Sequence, residues 1–271
     1  MRLLPLLLAT TITTAPVLLL GQTFQDGIDA AEAGDYETAF EIFQPFAEEG
    51  NADAEYILGL IHSSGRGVPQ DYAESAKWFK RAADQGFAEA QYELGVMYDQ
   101  GLGIPQNYSE AARWYRLAAD QGHAGAQNNL GLMYDQGEGV PQDYAEAVKW
   151  YRLAAEQGYS SAQYKLALMY DQGLGVPQNY SEAARWYQLA ADQGHAGAQN
   201  NLGTMYGKGE GVPQNFTNAY ILFNVAAAQG NENARENRDL AAEKLTPVQL
   251  AEAQRLSSEW EIGEPLPLQG G

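Results

Sequence analysis

The chain has 271 residues, with 35 acidic against 16 basic side chains, a formal net charge of −19 and no cysteine. That charge repels phosphate backbones and anionic bilayers, which proteins hold mainly with lysine and arginine clusters, so nucleic acid and a lipid surface are excluded as partners. Without cysteine there is no disulfide, thiolate nucleophile or cysteine-bound metal, and its absence is compatible with any compartment.

The first 21 residues, MRLLPLLLATTITTAPVLLLG, place a basic residue at Arg2 before an apolar run broken by threonine and proline and closed by a small residue at Gly21. This is the pattern of a secretory signal peptide, cleaved near Gly21, and it predicts a periplasmic or secreted protein. The alternative is an uncleaved N-terminal anchor, since Leu3 to Leu20 is close to the length that spans a bilayer. No cysteine follows, so lipoprotein processing is excluded.

Internal similarity dominates the rest. A Gly-x-Gly-[Val/Ile]-Pro-Gln loop begins at Gly65, Gly101, Gly137, Gly173 and Gly209, spaced by 36 residues each time. The flanking pattern recurs with it and defines five units, 51–86, 87–122, 123–158, 159–194 and 195–230. Residues 22–50 form an N-terminal half-repeat or cap, with DYETAFEIFQPFAEEG from Asp35 in register. Twice the period is stricter still: residues 99–131 and 171–203 differ at two of 33 positions, Ile104 against Val176 and Arg116 against Gln188.

Each unit reads as two antiparallel helices. Ala90, Leu94, Met97 and Tyr98 share one face of a first helix, which Gly101 ends. Asn107, three residues before Glu110, reads as a capping box opening a second helix, and Asp71 with Glu74, Asp143 with Glu146, and Asn179 with Glu182 repeat it. Tyr108, Ala111, Ala112, Tyr115, Ala118 and Ala119 line that helix, and Gly122 stops it. Small residues such as Gly95 let the backbones approach, while Tyr98, Trp114 and Tyr115 supply buried area. One hairpin cannot bury its own face, so the expected fold is all-α, a right-handed superhelical solenoid of stacked hairpins.

These residues resemble Sel1-like repeats, relatives of tetratricopeptide repeats with a longer loop between the helices. The resemblance covers residues 35 to 230 and departs from the pattern at Ala167, at Asn218 and at Leu222 in place of tryptophan. It implies C-terminal capping helices over 231–260, for which Thr246 as N-cap and Pro247 at the first helical position are a local signal. Residues 261–271 read as a disordered tail.

The residues supply no catalytic constellation, cofactor motif or metal site. The loop lacks the lysine of a P-loop and has Gln106 where a dinucleotide turn needs glycine. His62, His123 and His195 are the only histidines, the latter two surface residues at helix starts in duplicated copies. Asp99, Asp135 and Asp171 stand one repeat apart, on the order of 10 Å, too wide for one metal. The nucleophile elbow Gly-x-Ser-x-Gly and the Ser-x-x-Lys of penicillin-recognising enzymes are also missing.

By the tetratricopeptide register, the first helices form a concave partner-binding face with Tyr56, Tyr92, Asn128, Tyr164 and Asn200 inward, flanked by Ile57, Glu93, Asn129, Lys165 and Asn201. Asparagine offers donor and acceptor to a ligand backbone, and tyrosine a flat apolar face with a polar tip. The expectation is an exported, non-enzymatic bacterial scaffold that binds a protein or peptide in the cell envelope, in signalling, envelope stress or host interaction. The alternative is a peptidoglycan- or glycan-binding protein, or a regulator of a cell-wall enzyme.

Overall fold

A computed structural model describes residues 23–268, so the leader expected over 1–21 lies outside the described residues. Among the described residues there are fourteen α-helices and no strand. The chain divides into two compact units, 1–105 and 106–271.

In the first unit α1 (Phe24–Glu32) and α2 (Tyr36–Glu48) form a hairpin, α3 (Ala52–Ser64) and α4 (Tyr72–Asp84) a second, and α5 (Ala88–Gln100) packs on α4. The expected half-repeat is thus a complete hairpin with a short first helix. It lacks the long glycine loop by which units are counted, because the 33–35 turn replaces it. Phe24 packs edge-on against Phe43 and Phe46, which gives the short helix an aromatic anchor.

In the second unit α6 (Tyr108–Asp120) packs on α7 (Ala124–Gln136), which pairs with α8 (Tyr144–Glu156). Next come α9 (Ser160–Gln172) with α10 (Tyr180–Asp192), then α11 (Ala196–Lys208) with α12 (Phe216–Ala228). α13 (Glu232–Ala242) and α14 (Pro247–Glu259) both pack on α12, and the Thr246–Gln249 capping box opens α14. This is the all-α hairpin architecture expected, each second helix seating the next first helix.

The side chains at the period positions explain the stacking. Tyr151 and Tyr187 are fully buried, and each removes roughly 150–250 Å² from water. A methyl on Gly131 would stand 2.8 Å from the Tyr151 ring, so the glycine lets α7 and α8 close on that ring. The long loops also join neighbouring hairpins. Gly139 has φ +69°, and a Cβ there would lie 2.2 Å from the Tyr108 carbonyl at the start of α6. Gln142 ties the loop back to the end of α7, its amide donating to the Asp135 carbonyl at 2.7 Å.

Two local expectations are corrected. Asn107, Asp71 and Asp143 do cap their helices, each accepting backbone N–H groups through the side chain. Their glutamates, however, turn forward one helical turn to a base: Glu110 to Arg113, Glu74 to Lys77, Glu146 to Lys149 and Glu182 to Arg185. A nearby cation competes better for the carboxylate than a backbone N–H does. The tail expected to be disordered over 261–271 is ordered as far as 268. Gly263 N–H donates to the Asp192 carbonyl at 3.1 Å, Leu266 N–H to the Asp192 carboxylate at 2.9 Å, and Leu266 is 6% exposed. Residues 269–271 lie outside the described residues.

Candidate binding face

All nine residues of the expected face lie mid-helix in α3, α5, α7, α9 and α11, and all are half-buried. The two units differ in chemistry.

On α3 and α5 the face is aromatic and acidic. Tyr56 packs between Phe79 and Phe87, with ring centroids 5.7 and 5.1 Å away. Burial pushes its hydroxyl pKa up, and the charges of Glu93 and Glu89 push the same way. Burial also raises the Glu93 carboxyl, and burial together with Glu89 raises Asp53. Tyr92 and Glu93 are neighbours on α5.

On α7, α9 and α11 the face is built of amides and rings. Tyr164 stacks on the His195 imidazole at 4.4 Å and 23°, and its ring lies 5.9 Å from Tyr187. Asn201 donates to the Tyr187 hydroxyl at 3.1 Å, while its carbonyl oxygen accepts from Asn200 at 3.3 Å. Asn200 in turn accepts from Asn237 of α13 at 3.0 Å. In the duplicated copy Asn128 donates to Asn129 at 3.1 Å, and the Asn128 Oδ1 is buried without a donor. Lys165 sits close enough to depress the His195 pKa further, though burial is the larger cause.

The asparagine pairs therefore spend part of their hydrogen-bonding capacity on each other. They hold a fixed polar surface in place of two freely rotating amides, which lowers the entropy a ligand must remove on binding. His123 and His195, expected as surface residues, are half-buried N-caps whose Nδ1 atoms accept from Ala126 and Ala198 N–H at 3.1 and 3.2 Å. With Nδ1 accepting, the neutral imidazole carries its proton on Nε2.

Sequence reasoning missed Asn237, although it stands 36 residues after Asn201 and the period points to it. It also missed a buried amide ladder behind the face. Gln127, Gln163 and Gln199 each donate to the alanine carbonyl eight residues earlier, at 3.1, 3.2 and 3.1 Å. Among the described residues no group of three or more His, Cys, Asp or Glu side chains is arranged to hold a metal ion, and no helix is long and apolar enough to cross a membrane.

A family model described as Sel1 repeat matches residues 18–51, 52–87, 88–123, 124–159, 160–195 and 196–231. Its copies start one residue after the five units read from the loops, and a sixth covers the N-terminal hairpin. Two solved structures share the architecture. One, from uropathogenic Escherichia coli strains, is described as a protective antigen with an SLR fold; it is 36% identical with a TM-score of 0.76, over 88% of this chain and 56% of that one. The chain thus spans little more than half of that protein's length. The other, a Sel1 repeat protein from Oxalobacter formigenes, is 32% identical with a TM-score of 0.74, over 88% of this chain and 97% of that one. No curated protein matches.

Proposed function

The chain belongs to the Sel1 repeat family, whose members are generally non-catalytic scaffolds for protein–protein interaction, and we propose that it is an exported adaptor that holds a partner protein segment along the first-helix face. The carrying observation is the contrast between frame and face. The loops, caps and buried alanines repeat almost unchanged, while the candidate face positions vary from copy to copy: tyrosine at 56, 92 and 164 but asparagine at 128 and 200, followed by Ile57, Glu93, Asn129, Lys165 and Asn201. A frame that repeats is what stacking requires; side chains that vary on a half-buried, preorganised surface suit one particular partner.

Export to the periplasm or beyond is supported by the leader-like run at 1–21, and the likeness to a protein described as a protective antigen is in keeping with an envelope or host-facing setting. The stacked Tyr164–His195 pair would also suit a sugar ring, which keeps a glycan or peptidoglycan ligand as the second reading. Both are separated by placing a photo-crosslinking residue at Tyr164 and, as control, at exposed Arg185, in an envelope extract with and without muramidase. A protein adduct at position 164, absent at 185, insensitive to muramidase and lost with Asn129→Ala/Asn201→Ala, supports the protein partner. An adduct that muramidase removes transfers the assignment to glycan. Equal labelling at both positions, or none, overturns the face.

A further inference from the structure

The ordered arm after α14 shows how this chain holds an extended segment. Residues 260–268 run back without regular structure to the end of α10. There Gly263 N–H meets the Asp192 carbonyl, and Leu266 N–H meets the Asp192 carboxylate, which Gln188 also contacts at 2.8 Å. Ile262 lies over Gly194, where a Cβ would come within 3.0 Å of its side chain. Leu266, between Pro265 and Pro267, enters the apolar cluster containing Trp186, Leu222 and Val225. The Trp260 indole N–H donates to the Glu264 carbonyl at 2.9 Å and fixes the bend.

The duplication provides an internal comparison, because Leu189, Asp192 and Gly194 have sequence-identical counterparts in Leu117, Asp120 and Gly122 at the end of α6. Among the described residues no segment covers that copy. Asp120 and Gly122 are exposed where Asp192 and Gly194 are half-buried, and Leu153 on α8 is 44% exposed where its counterpart Val225 on α12 is 6% exposed. Besides Leu153 for Val225, two lining residues differ. Arg116 replaces Gln188 and lies over the Trp150 ring at 5.2 Å while bonding the Tyr134 hydroxyl, and Trp150 replaces Leu222. The Asp120 carboxylate is left in no hydrogen bond among the described residues, and Leu153 forms an open apolar wall beside it.

We propose that the ledge formed by Asp120, Gly122 and Leu153 is a second docking surface, for an extended, proline-flanked segment of a partner protein that resembles the arm: an aliphatic anchor whose backbone N–H bonds the aspartate. The prolines hold such a segment extended before it binds, so little ordering entropy opposes docking. The chain's own arm is tethered beside Asp192, where its effective concentration is far above that of any free segment. The open ledge therefore takes a segment supplied in trans. This surface lies on the second helices and does not depend on the first-helix face.

The test uses the full chain and a fluorescein-labelled peptide with the sequence of residues 259–271, followed by anisotropy. Saturable one-to-one binding is expected. Leu153→Glu and Asp120→Ala, both at exposed positions, each weaken it about tenfold or more, Asp192→Ala leaves it intact, and a peptide carrying Leu266→Asp does not bind. Thermal melts of the variants confirm folding. No saturable binding overturns the proposal. So does binding lost with Asp192→Ala but kept with Leu153→Glu, which would show exchange with the resident arm, and so does self-association of the chain through position 153.

Discussion

Gln157, at the end of α8, donates its side-chain amide at 2.7 Å to the buried carbonyl oxygen of Gln127 on α7. Gln193 does the same to Gln163 and Gln229 to Gln199, both at 2.8 Å. Each buried glutamine thus accepts from the end of its own hairpin and donates to the preceding one, so that one side chain ties three helices. Gln163→Leu would remove two side-chain hydrogen bonds, the one it accepts from the Gln193 amide and the one it donates to the Ala155 carbonyl. The expected cost is about 1–3 kcal/mol, read as a fall in the urea midpoint, and Gln193→Leu should cost less because its amide is exposed.

At the first position of the ladder stands Glu55, 1% exposed, with Arg81 at 2.7 Å and Gln85 at 2.7 Å. Arg81 also donates to the Ala47 carbonyl at 2.6 Å. Removing the guanidinium leaves a buried carboxylate held by one amide, so Arg81→Ala should cost about 1–3 kcal/mol. Adding Glu55→Gln, which restores the ladder's ordinary residue, should recover most of that loss. A double-mutant cycle by urea denaturation checks it.

Glycines with positive φ divide into two kinds. A methyl on Gly122, at φ +93°, meets nothing within 4 Å, so Gly122→Ala should cost only the left-handed strain, about 1 kcal/mol. Gly139→Ala adds a Cβ 2.2 Å from the Tyr108 carbonyl, backbone that cannot rotate away. It should lower the melting temperature several times further and open the contact between the 137–142 loop and α6, seen as faster amide exchange in both.

Two groups give opposite pH dependence. The His195 pKa is lowered by burial, so the fold favours the neutral ring; its contribution is present above about pH 6.5 and lost as pH falls through the depressed value. Glu93 is raised by burial, so its contribution is complete below about pH 4.5 and lost as pH rises through the elevated value. His195→Asn, keeping a capping acceptor as Asn51 does in the first unit, should flatten the loss on acidification. Glu93→Gln should raise the urea midpoint at pH 7 and change it least near pH 4.5. Midpoints measured at pH 7, 5.5 and 4.5 for the three proteins test both signs.

The helices and their ends were legible in the sequence because they depend on partners three or four residues away. Asn107 capping α6, Gly101 ending α5 and Thr246 opening α14 are all of this kind. The period supplied the hairpins, since a loop of fixed form needs two helices of fixed length around it. The candidate face was located through the same register, but its internal bonds were not: Asn200 meets Asn237 across 37 residues, and Tyr164 meets His195 from a different helix.

The sequence by itself determined the repeating frame of this protein, because caps, stops and small-residue contacts recur wherever the local pattern does. Tertiary structure alone decided the glutamine ladder, whose partners are 30 residues apart, the turn of Glu110 toward Arg113 in place of its cap, and the docking of Leu266 on Asp192 across 74 residues. Those choices are settled by competition among donors and acceptors that folding brings together, and no spacing along the chain records which of them will win.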